Sequence, residues 1–334
     1  MSKNPSWTLQ SYPSAMPSAE NWSLENRPIP DAGNGELMVK TLWLSVDPYM
    51  RGRISPAKNY AAGFKVGDLM RGGGIGEVIT SESPDFKPGD IVISDYFGWQ
   101  PFSTIPAASA KPVKVADAPI QSALSFLGLP GLTAYFALLK TAAAKAGETV
   151  LISAASGALG QIAGQIARIK GCDPVAVAGS DQKLEWCREL GYRTGVNHRS
   201  SPDLLADVSA ACPNGIDAFI DNTAGPIHDA AMQNLNTFGR VAIVGTIALA
   251  DRFDQPDIGL RHLRKTLISR ARIEGYLLSD HEKEFHTAVA DLSSWHKQGL
   301  LQTREDVAEG IETVPHALVR MLRGENFGKQ LVKL

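Results

Sequence analysis

The chain has 334 residues, 44% of them hydrophobic, and a net charge of −2, which favours two domains with a large buried core and excludes a general attraction to nucleic acid or anionic membranes. Its three cysteines, Cys172, Cys187 and Cys212, form no C-x-x-C pair, so neither a structural zinc site nor a disulfide framework is expected. No apolar run reaches the roughly 18 residues of a membrane span, and the N-terminus lacks the apolar core of a secretory signal, so we expect a cytoplasmic protein.

The first 125 residues have the texture of an irregular, mostly β domain. Glycine and proline are frequent, and turn signals such as Lys87-Pro88-Gly89-Asp90 separate short β-branched runs. Strands are expected at residues 36–46, 74–79 and 90–94. Long helical periodicity is absent from this part of the sequence.

From about residue 126 the pattern changes to alternating strands and helices. Short apolar runs predict six strands, at residues 150–154, 174–178, 193–196, 218–220, 241–244 and 273–277. Helical stretches lie between and after them, near residues 158–170, 182–190, 201–211, 226–237, 257–268 and 280–298. Strands joined by helical crossovers predict an α/β fold with a doubly wound parallel sheet, the Rossmann fold that binds dinucleotides.

The C-terminal segment is too short to form a domain of its own. It contains a strand, a helix and the β-rich end GKQLVKL. We expect it to return to the N-terminal domain, so that residues 1–125 and 300–334 form the catalytic domain and residues 126–299 form the nucleotide-binding domain. The cofactor cleft would then lie between the two.

A glycine-containing turn follows the first strand of the predicted Rossmann domain. It matches G-x-G-x-x-G except that Ala155 replaces the first glycine, and a full helical pattern follows it. In such a turn the backbone approaches a pyrophosphate closely, and the N–H groups of the first helical turn bind the phosphates. The residues expected at the pyrophosphate are Gly157, Ala158, Leu159 and Gly160.

The end of the second strand indicates which dinucleotide is bound. An acid there accepts hydrogen bonds from the adenosine ribose, whereas a basic residue accommodates a 2′-phosphate. Gly179 stands in the place of the acid, and the sequence therefore favours NADPH over NADH, with Asp181 leaving the second possibility open. The residues expected around the 2′-phosphate are Gly179, Ser180, Lys183, His198 and Arg199.

Eight motifs in order resemble the medium-chain dehydrogenase/reductase superfamily, in its zinc-free branch of prostaglandin reductases, plant double-bond reductases and NADPH-dependent curcumin reductases. They occupy residues 42–54 (LWLSVDPYMRGRI), 72–79 (GGGIGEVI), 128–139 (GLPGLTAYFALL), 154–172, 179–183 (GSDQK), 221–225 (DNTAG), 272–278 (RIEGYLL) and 324–334 (GENFGKQLVKL). The resemblance implies a GroES-like catalytic domain beside the Rossmann domain, a homodimer and no metal.

The resemblance also implies which further residues contact NADPH. Asn222 would reach the ribose or nicotinamide region, the next strand end would lie along the cofactor, and residues after the last strand would flank the nicotinamide. These positions are Asn222, Val244, Gly245, Thr246, Ile247, Tyr276, Leu277, Leu278 and Asn326.

Two positions depart from the family pattern. His198 stands where the family usually has a tyrosine near the 2′-phosphate, a contact that the imidazole or Arg199 could replace. Ala250 stands where the family places a tyrosine at the substrate. A mechanism that relies on that tyrosine hydroxyl is therefore in doubt for this chain.

The implied reaction is the reduction by NADPH of the C=C bond of an α,β-unsaturated ketone or aldehyde, a small conjugated carbonyl compound. Hydride reaches the β-carbon, and the enolate is protonated at the α-carbon. A neutral hydroxyl of the protein or a ribose hydroxyl of the cofactor should stabilise the oxyanion. Tyr60, in a loop expected to reach the cleft, is the first candidate for this hydroxyl, and Tyr49 is the second.

Two other functions stay open at this point. Quinone reduction occurs in neighbouring zinc-free branches, although the motif at residues 42–54 resembles the enone branch more. A chain that binds NADPH without turnover, as a structural or regulatory module, is the third hypothesis, and Ala250 motivates it.

Overall fold

The structure, a computed structural model, describes residues 3–57, 59–115 and 117–334, so four residues of the predicted N-terminal domain, Met1, Ser2, Lys58 and Ala116, lie outside the described part. Within it, two large sheets organise the chain, one parallel and one mostly antiparallel. None of its helices has the length and the apolarity that a membrane crossing requires.

The N-terminal part is built from short strands, as the turn-rich sequence predicts. One four-residue helix interrupts them, directly after the sequence Asp47-Pro48-Tyr49. The elements are β1 (Asn4–Leu9), β2 (Trp22–Arg27), β3 (Glu36–Ser45), α1 (Met50–Arg53), β4 (Arg71–Ser81), β5 (Ile91–Gly98), β6 (Phe102–Pro106) and β7 (Lys111–Pro112).

The central part alternates strands with helices. Its elements are α2 (Leu129–Phe136), β8 (Thr149–Ser153), α3 (Gly160–Ile169), β9 (Asp173–Ala178), α4 (Asp181–Glu189), β10 (Thr194–Asn197), α5 (Leu204–Ala211), β11 (Ile216–Asp221), α6 (Gly225–Gln233), β12 (Leu235–Ile243), α7 (Leu263–Ser269), β13 (Arg272–Gly275) and α8 (Phe285–Lys297). The strands pair in the order β10-β9-β8-β11-β12-β13, all parallel. The predicted doubly wound Rossmann sheet is confirmed.

The order of the strands puts β8 at the centre of the parallel sheet. The connections after β8 and β11 leave in opposite directions, and ligands of such sheets bind in the crevice at this reversal. The glycine turn after β8 therefore lies at the carboxyl edge where a dinucleotide is expected.

The last part of the chain joins the sheet of the first part. It forms β14 (Glu305–Glu309), α9 (Val314–Leu322) and β15 (Lys329–Lys333). The second sheet has the order β14-β15-β3-β4-β5-β7, and β6 also pairs with β3. Since β15 pairs with both β14 and β3, the final residues fill an interior position of this sheet.

Separate hydrophobic cores support the two sheets. Helix α9 packs with β3 and β5 in the core that contains Trp99 and Phe97, whereas α2 and α3 pack with β8 in another. Two glutamines of α3 connect the cores: Gln161 Nε2 donates to Arg304 O over 3.0 Å, and Gln165 Nε2 donates to Gln302 O over 2.8 Å. The nucleotide-binding helix is thereby fixed to the segment that leads into β14.

Several predicted boundaries were wrong. Helix α6 ends at Gln233 and β12 begins at Leu235, although apolar spacing suggested a helix to residue 237 and a strand only from 241. Helix α7 begins at Leu263 rather than near 257, because His262 is in the left-handed region with φ of 52°. The all-round buried α2 was missed, since it lacks the amphipathic spacing that identifies a surface helix.

Candidate functional site

The glycine turn leaves room for a ligand and none for further side chains. A Cβ atom at Gly160 would lie 2.4 Å from Ala154 O and 2.6 Å from Ala155 Cα, so only glycine lets α3 begin this close to the turn. The Tyr192 hydroxyl donates to Gly160 O over 2.6 Å and so helps to hold the first residue of α3 in place. Gly157, Ala158 and Leu159 are partly exposed at the carboxyl edge of the sheet.

Cationic side chains converge at the end of β9, beside Gly179. A Cβ atom at Gly179 would lie 3.2 Å from Arg199 Nε and 3.4 Å from His198 Nε2, so the missing side chain makes space for both. Ser180 caps α4 by accepting a hydrogen bond from Lys183 N over 3.3 Å. The structure thus brings together the five residues predicted around a 2′-phosphate.

The electrostatics of this basic cluster suit an anion. Burial, and then the Arg199 guanidinium, lower the pKa of Lys183. The same two causes, in the same order, lower the pKa of His198. A bound anion would relieve the repulsion between the like charges.

The neighbouring acid is engaged elsewhere. Asp181 Oδ1 accepts a hydrogen bond from Asn197 Nδ2 over 2.9 Å, so this carboxylate is held toward β10. The alternative in which Asp181 binds an adenosine ribose would require it to leave that partner. This contact favours the phosphate-binding alternative.

Lys183 and Arg199 also contact residues that are distant in sequence. Lys183 Nζ donates to Gly324 O over 2.8 Å, and Arg199 Nη2 donates to Arg323 O over 2.5 Å. The predicted residues did not include Arg323 or Gly324. The signal that could have found them is the single glycine that ends the predicted C-terminal helix, because a helix end supplies free carbonyl groups.

The segment after α9 continues from the basic cluster to the glycine turn. Gly328 forms a parallel bridge with Gly157. Asn326 lies between these points, and its Nδ2 donates to Gly328 O over 2.9 Å. The structure therefore places Asn326 close to the glycine turn, whereas the resemblance implied a contact near the nicotinamide.

Asn222 sits on a turn that a buried carboxylate holds in shape. Asp221 is fully buried, and its Oδ1 accepts from Thr223 N over 3.0 Å and from Ala224 N over 2.9 Å. These bonds hold Ala224 at φ of 59° and ψ of −158°, a conformation that costs a non-glycine residue about 1–3 kcal/mol. Asn222 Nδ2 donates to Ser153 O over 2.7 Å, which leaves its carbonyl oxygen available as an acceptor.

A histidine completes the support of this turn. His228 Nδ1 lies 2.8 Å from Asp221 Oδ2, and this hydrogen bond raises the pKa of His228. His228 and Asp221 were not among the predicted site residues. Since an acid directly before Asn222 at a strand end can bind the backbone of the following turn, the sequence did contain a signal for Asp221.

The end of β12 lies against the Asn222 turn. A Cβ atom at Gly245 would be 2.9 Å from Asn222 O, so glycine is required for this close approach. Val244 N and Gly245 N both donate to Asp221 O, over 2.8 and 3.1 Å. The chain then passes Thr246 and enters a 3₁₀ turn at Ile247–Arg252.

This 3₁₀ turn contacts helix α1 of the N-terminal part. Arg51, which is buried, donates from Nε to Ala250 O over 2.8 Å, and its guanidinium lies 5.1 Å from the centre of the Phe253 ring. Ser55 donates to Asp254. The family tyrosine would stand at Ala250, and here the backbone of that position anchors an arginine that follows Tyr49 by two residues.

The residues after β13 have different environments. The Tyr276 ring is buried and stacks on His281 at a centroid distance of 5.6 Å, and burial raises the pKa of its hydroxyl well above the usual range. Leu277 is exposed, and Leu278 is partly buried against the core of α2 and α3. The Tyr276 side chain therefore belongs to the core, and only its backbone and Leu277 are available at the surface.

The two candidate tyrosines differ in accessibility. Tyr60, in the loop after α1, is 67% exposed, and its backbone N–H donates to Asn59 Oδ1 over 2.8 Å. Tyr49 is partly buried against the core of the second sheet. Burial, and then the Asp47 carboxylate, raise the pKa of the Tyr49 hydroxyl, and partial desolvation and the same carboxylate raise that of Tyr60, so each stays protonated and able to donate.

A buried ion pair lies at the base of the loop that carries Tyr49. Lys329 Nζ donates to Asp47 Oδ1 over 2.7 Å and to Val46 O over 2.8 Å. Asp47 Oδ2 accepts from Ser45 Oγ over 2.5 Å. Among the described residues no cluster of three or more His, Cys, Asp or Glu side chains has a geometry that could hold a metal ion.

Comparison with known proteins identifies relatives along the whole chain. Residues 5–113 match the family described as N-terminal domain of oxidoreductase, and residues 158–294 match the family described as zinc-binding dehydrogenase. Prostaglandin reductase 1 of Mus musculus is 37% identical over 332 residues, with 98% of both chains covered. The NADPH-dependent curcumin reductase of Escherichia coli is 34% identical over 339 residues, with 99% of this chain and 97% of that protein covered.

A solved structure shares the fold closely. CurA of Vibrio vulnificus in complex with NADPH superposes with a TM-score of 0.92 at 33% identity, with 98% of each chain covered. The likeness therefore includes both sheets. The chain belongs to the medium-chain dehydrogenase/reductase superfamily, in the zinc-free branch that contains the prostaglandin and curcumin reductases.

Proposed function

We propose that the chain is an NADPH-dependent oxidoreductase that reduces the C=C bond of α,β-unsaturated ketones and aldehydes, with curcumin-like diarylenones among its substrates. The observation that carries the proposal is the meeting of Lys183, His198 and Arg199 beside Gly179, one strand away from the glycine turn. The full-length similarity to NADPH-dependent curcumin reductase and to prostaglandin reductase 1 supports the reaction class.

The residues present fit NADPH. The turn from Gly157 to Gly160 offers backbone N–H groups at the start of α3, which suits a pyrophosphate, and Gly160 lets the helix begin close to the turn. The basic cluster would hold the 2′-phosphate by charge-assisted hydrogen bonds. Further contacts are proposed at the positions implied by the family, which are Asn222, Val244, Gly245, Thr246, Ile247, Tyr276, Leu277, Leu278 and Asn326.

NADPH would supply a hydride to the β-carbon of the conjugated carbonyl compound. The chain has to orient the double bond and to donate a hydrogen bond to the carbonyl oxygen as negative charge develops on it. We propose Tyr60 for this donor, with Tyr49 as the second candidate, because both hydroxyls stay protonated. One such donor is worth about 3 kcal/mol to a transition state, or roughly a hundredfold in rate.

Substitution of Tyr60 tests the donor. Tyr60→Phe should lower kcat for an aryl enone by roughly a hundredfold and leave the Kd for NADPH unchanged. Tyr12→Phe is the matched control, since its hydroxyl donates to Phe64 O over 3.0 Å in the N-terminal sheet region and has no proposed role in the reaction. Unchanged enone reduction by Tyr60→Phe would remove Tyr60 from the mechanism.

A substrate panel separates the proposed function from its rivals. Steady-state kinetics with 2-alkenals, aryl enones and benzoquinones should give the highest kcat/KM for an enone. Higher efficiency with benzoquinones would make the chain a quinone oxidoreductase, which the named relatives above support less. Tight NADPH binding with no oxidation by any enone would support the binding module that Ala250 suggested.

The assembly and the domain division are also proposals. Strand β13 is an edge of the parallel sheet, and α7 beside it exposes Leu263, Leu267 and Ile268, which supports a homodimer formed by pairing of these edges. The continuous pairing of β14, β15 and β3 supports a catalytic domain of residues 1–125 and 300–334 beside a nucleotide-binding domain of residues 126–299. A cytoplasmic location is proposed from the sequence alone.

A further inference from the structure

Helix α9 ends with two backbone carbonyl groups that accept hydrogen bonds from cationic side chains beside the parallel sheet. A Schellman motif closes the helix: Gly324 N donates to Met321 O and Glu325 N to Arg320 O, both over 2.9 Å, with Gly324 at φ of 66°. The two hydrogen bonds of this motif do not use the carbonyls of Arg323 and Gly324. These carbonyls accept the hydrogen bonds from Arg199 and Lys183.

Carbonyl partners orient the two cations without neutralising them. The carboxylate that most affects Lys183 is Asp306, which is itself paired with Arg320 over 3.2 Å and accepts from Phe327 N over 2.9 Å. Neutral carbonyl groups therefore fix the directions of Lys183 and Arg199. A site of this kind is preorganised for a group with two negative charges.

We propose that the C-terminal end of helix α9, through Gly324 and the carbonyls of Arg323 and Gly324, positions Lys183 and Arg199 for the 2′-phosphate and so determines the preference for NADPH over NADH. This inference rests on the proposed function and deepens it. Gly324 is a positioning residue, because it acts through the two cations and not by contact with the coenzyme.

The geometry gives Gly324 a specific requirement. A Cβ atom there would lie 3.2 Å from Arg199 Nη2, and a β-branched residue is strongly disfavoured at φ of 66°. Gly324→Val should therefore displace both the helix end and the guanidinium. Gly324→Ala is the milder substitution, because alanine adds a Cβ without a β-branch, and it replaces the valine variant in the test if that variant fails to fold.

Gly299 provides a matched control elsewhere in the chain. It ends helix α8 with the same motif, since Gly299 N donates to His296 O and Leu300 N to Trp295 O, and its φ is 71°. A Cβ atom at Gly299 meets nothing within 4 Å. Gly299→Val thus carries the same backbone strain with no cation beside it.

The test is calorimetric titration of the full chain with 2′,5′-ADP and with 5′-AMP, which differ only in the 2′-phosphate. Gly324→Val should raise the Kd for 2′,5′-ADP roughly tenfold or more and leave the Kd for 5′-AMP unchanged. Gly299→Val should leave both constants as in the wild type, and Gly324→Ala should show a smaller shift of the same kind.

The outcomes separate this inference from the proposed function. A wild-type chain that binds the two nucleotides equally well would overturn the proposed NADPH site and this inference together. A wild-type preference for 2′,5′-ADP that Gly324→Val and Gly324→Ala both retain would overturn only the role of helix α9. A selective loss in both Gly324 variants, absent in Gly299→Val, would support it.

Discussion

Replacement of Lys329 by methionine tests whether the buried ion pair holds the loop of Tyr49. Only 1% of Lys329 is exposed, and its ammonium group donates to Asp47 and to the Val46 carbonyl. Methionine fills similar space, but the Asp47 carboxylate then keeps the hydrogen bond from Ser45 and loses its cation. Removing one partner of a buried pair costs about 3–5 kcal/mol. We expect that loss in the free energy of unfolding of the sheet containing β15.

The same substitution should impair catalysis, because Tyr49 follows Asp47 by two residues. A displacement near 1 Å at a positioned group can cost up to roughly a hundredfold in rate. Urea unfolding followed by tryptophan fluorescence gives the stability, and enone reduction gives kcat. Lys333→Met, on the exposed end of the same strand, is the matched control and should change both quantities little.

The double variant Lys329→Met with Asp47→Asn separates charge from shape. It removes the uncompensated carboxylate, so it should recover at least half of the lost stability. The reasoning would be refuted by a loss below about 1 kcal/mol in Lys329→Met, since that is the scale of an ordinary hydrogen bond. A double variant no more stable than Lys329→Met would refute it equally.

Three further predictions follow from the site. Gly160→Ala should raise the Kd for NADPH at least tenfold, measured by coenzyme fluorescence, because its Cβ would lie 2.4 Å from Ala154 O; Gly259→Ala, with nothing within 4 Å, should not. Lys183→Ala should weaken NADPH binding about 30-fold, equivalent to about 2 kcal/mol for a charge-assisted bond, and should leave NADH binding unchanged. The control Lys170→Ala should bind NADPH as tightly as the wild type does. His228→Gln should lower the Tm most at low pH: the pKa of His228 is raised in the folded state, so its stabilising effect is complete below the ordinary histidine value and fades as pH rises through the raised one. A Tm difference that grows from pH 6 to 9 would contradict this assignment.

The fold was predictable where the sequence signal is local. Strands β8, β9 and β11 begin and end within two residues of their apolar runs, because a strand buried on both faces is a continuous apolar stretch. The errors fall where tertiary structure overrides the pattern. The polar first half of β12 pairs with β11 only at Leu235 before Phe238 takes a positive φ, and no apolar run marks it.

The candidate site was likewise predictable where its residues lie close together in the sequence. Gly157, Gly160 and Lys183 follow from one strand–turn–helix unit and the strand after it. The partners of Lys183 and Arg51 were not predictable, since Gly324 lies 141 residues from the first and Ala250 lies 199 residues from the second. Spacing along a chain carries no information about such contacts until the topology is known.

The interior position of β15 sets the order in which the protein can be completed during translation. The parallel sheet has all its strands once residue 275 has left the ribosome, whereas the sheet started by β3 still lacks the strand between β14 and β3. The region synthesised first is therefore finished last, and its open edge beside β3 must be kept from other chains until then. A C-terminal truncation of six residues would make that unfinished state permanent.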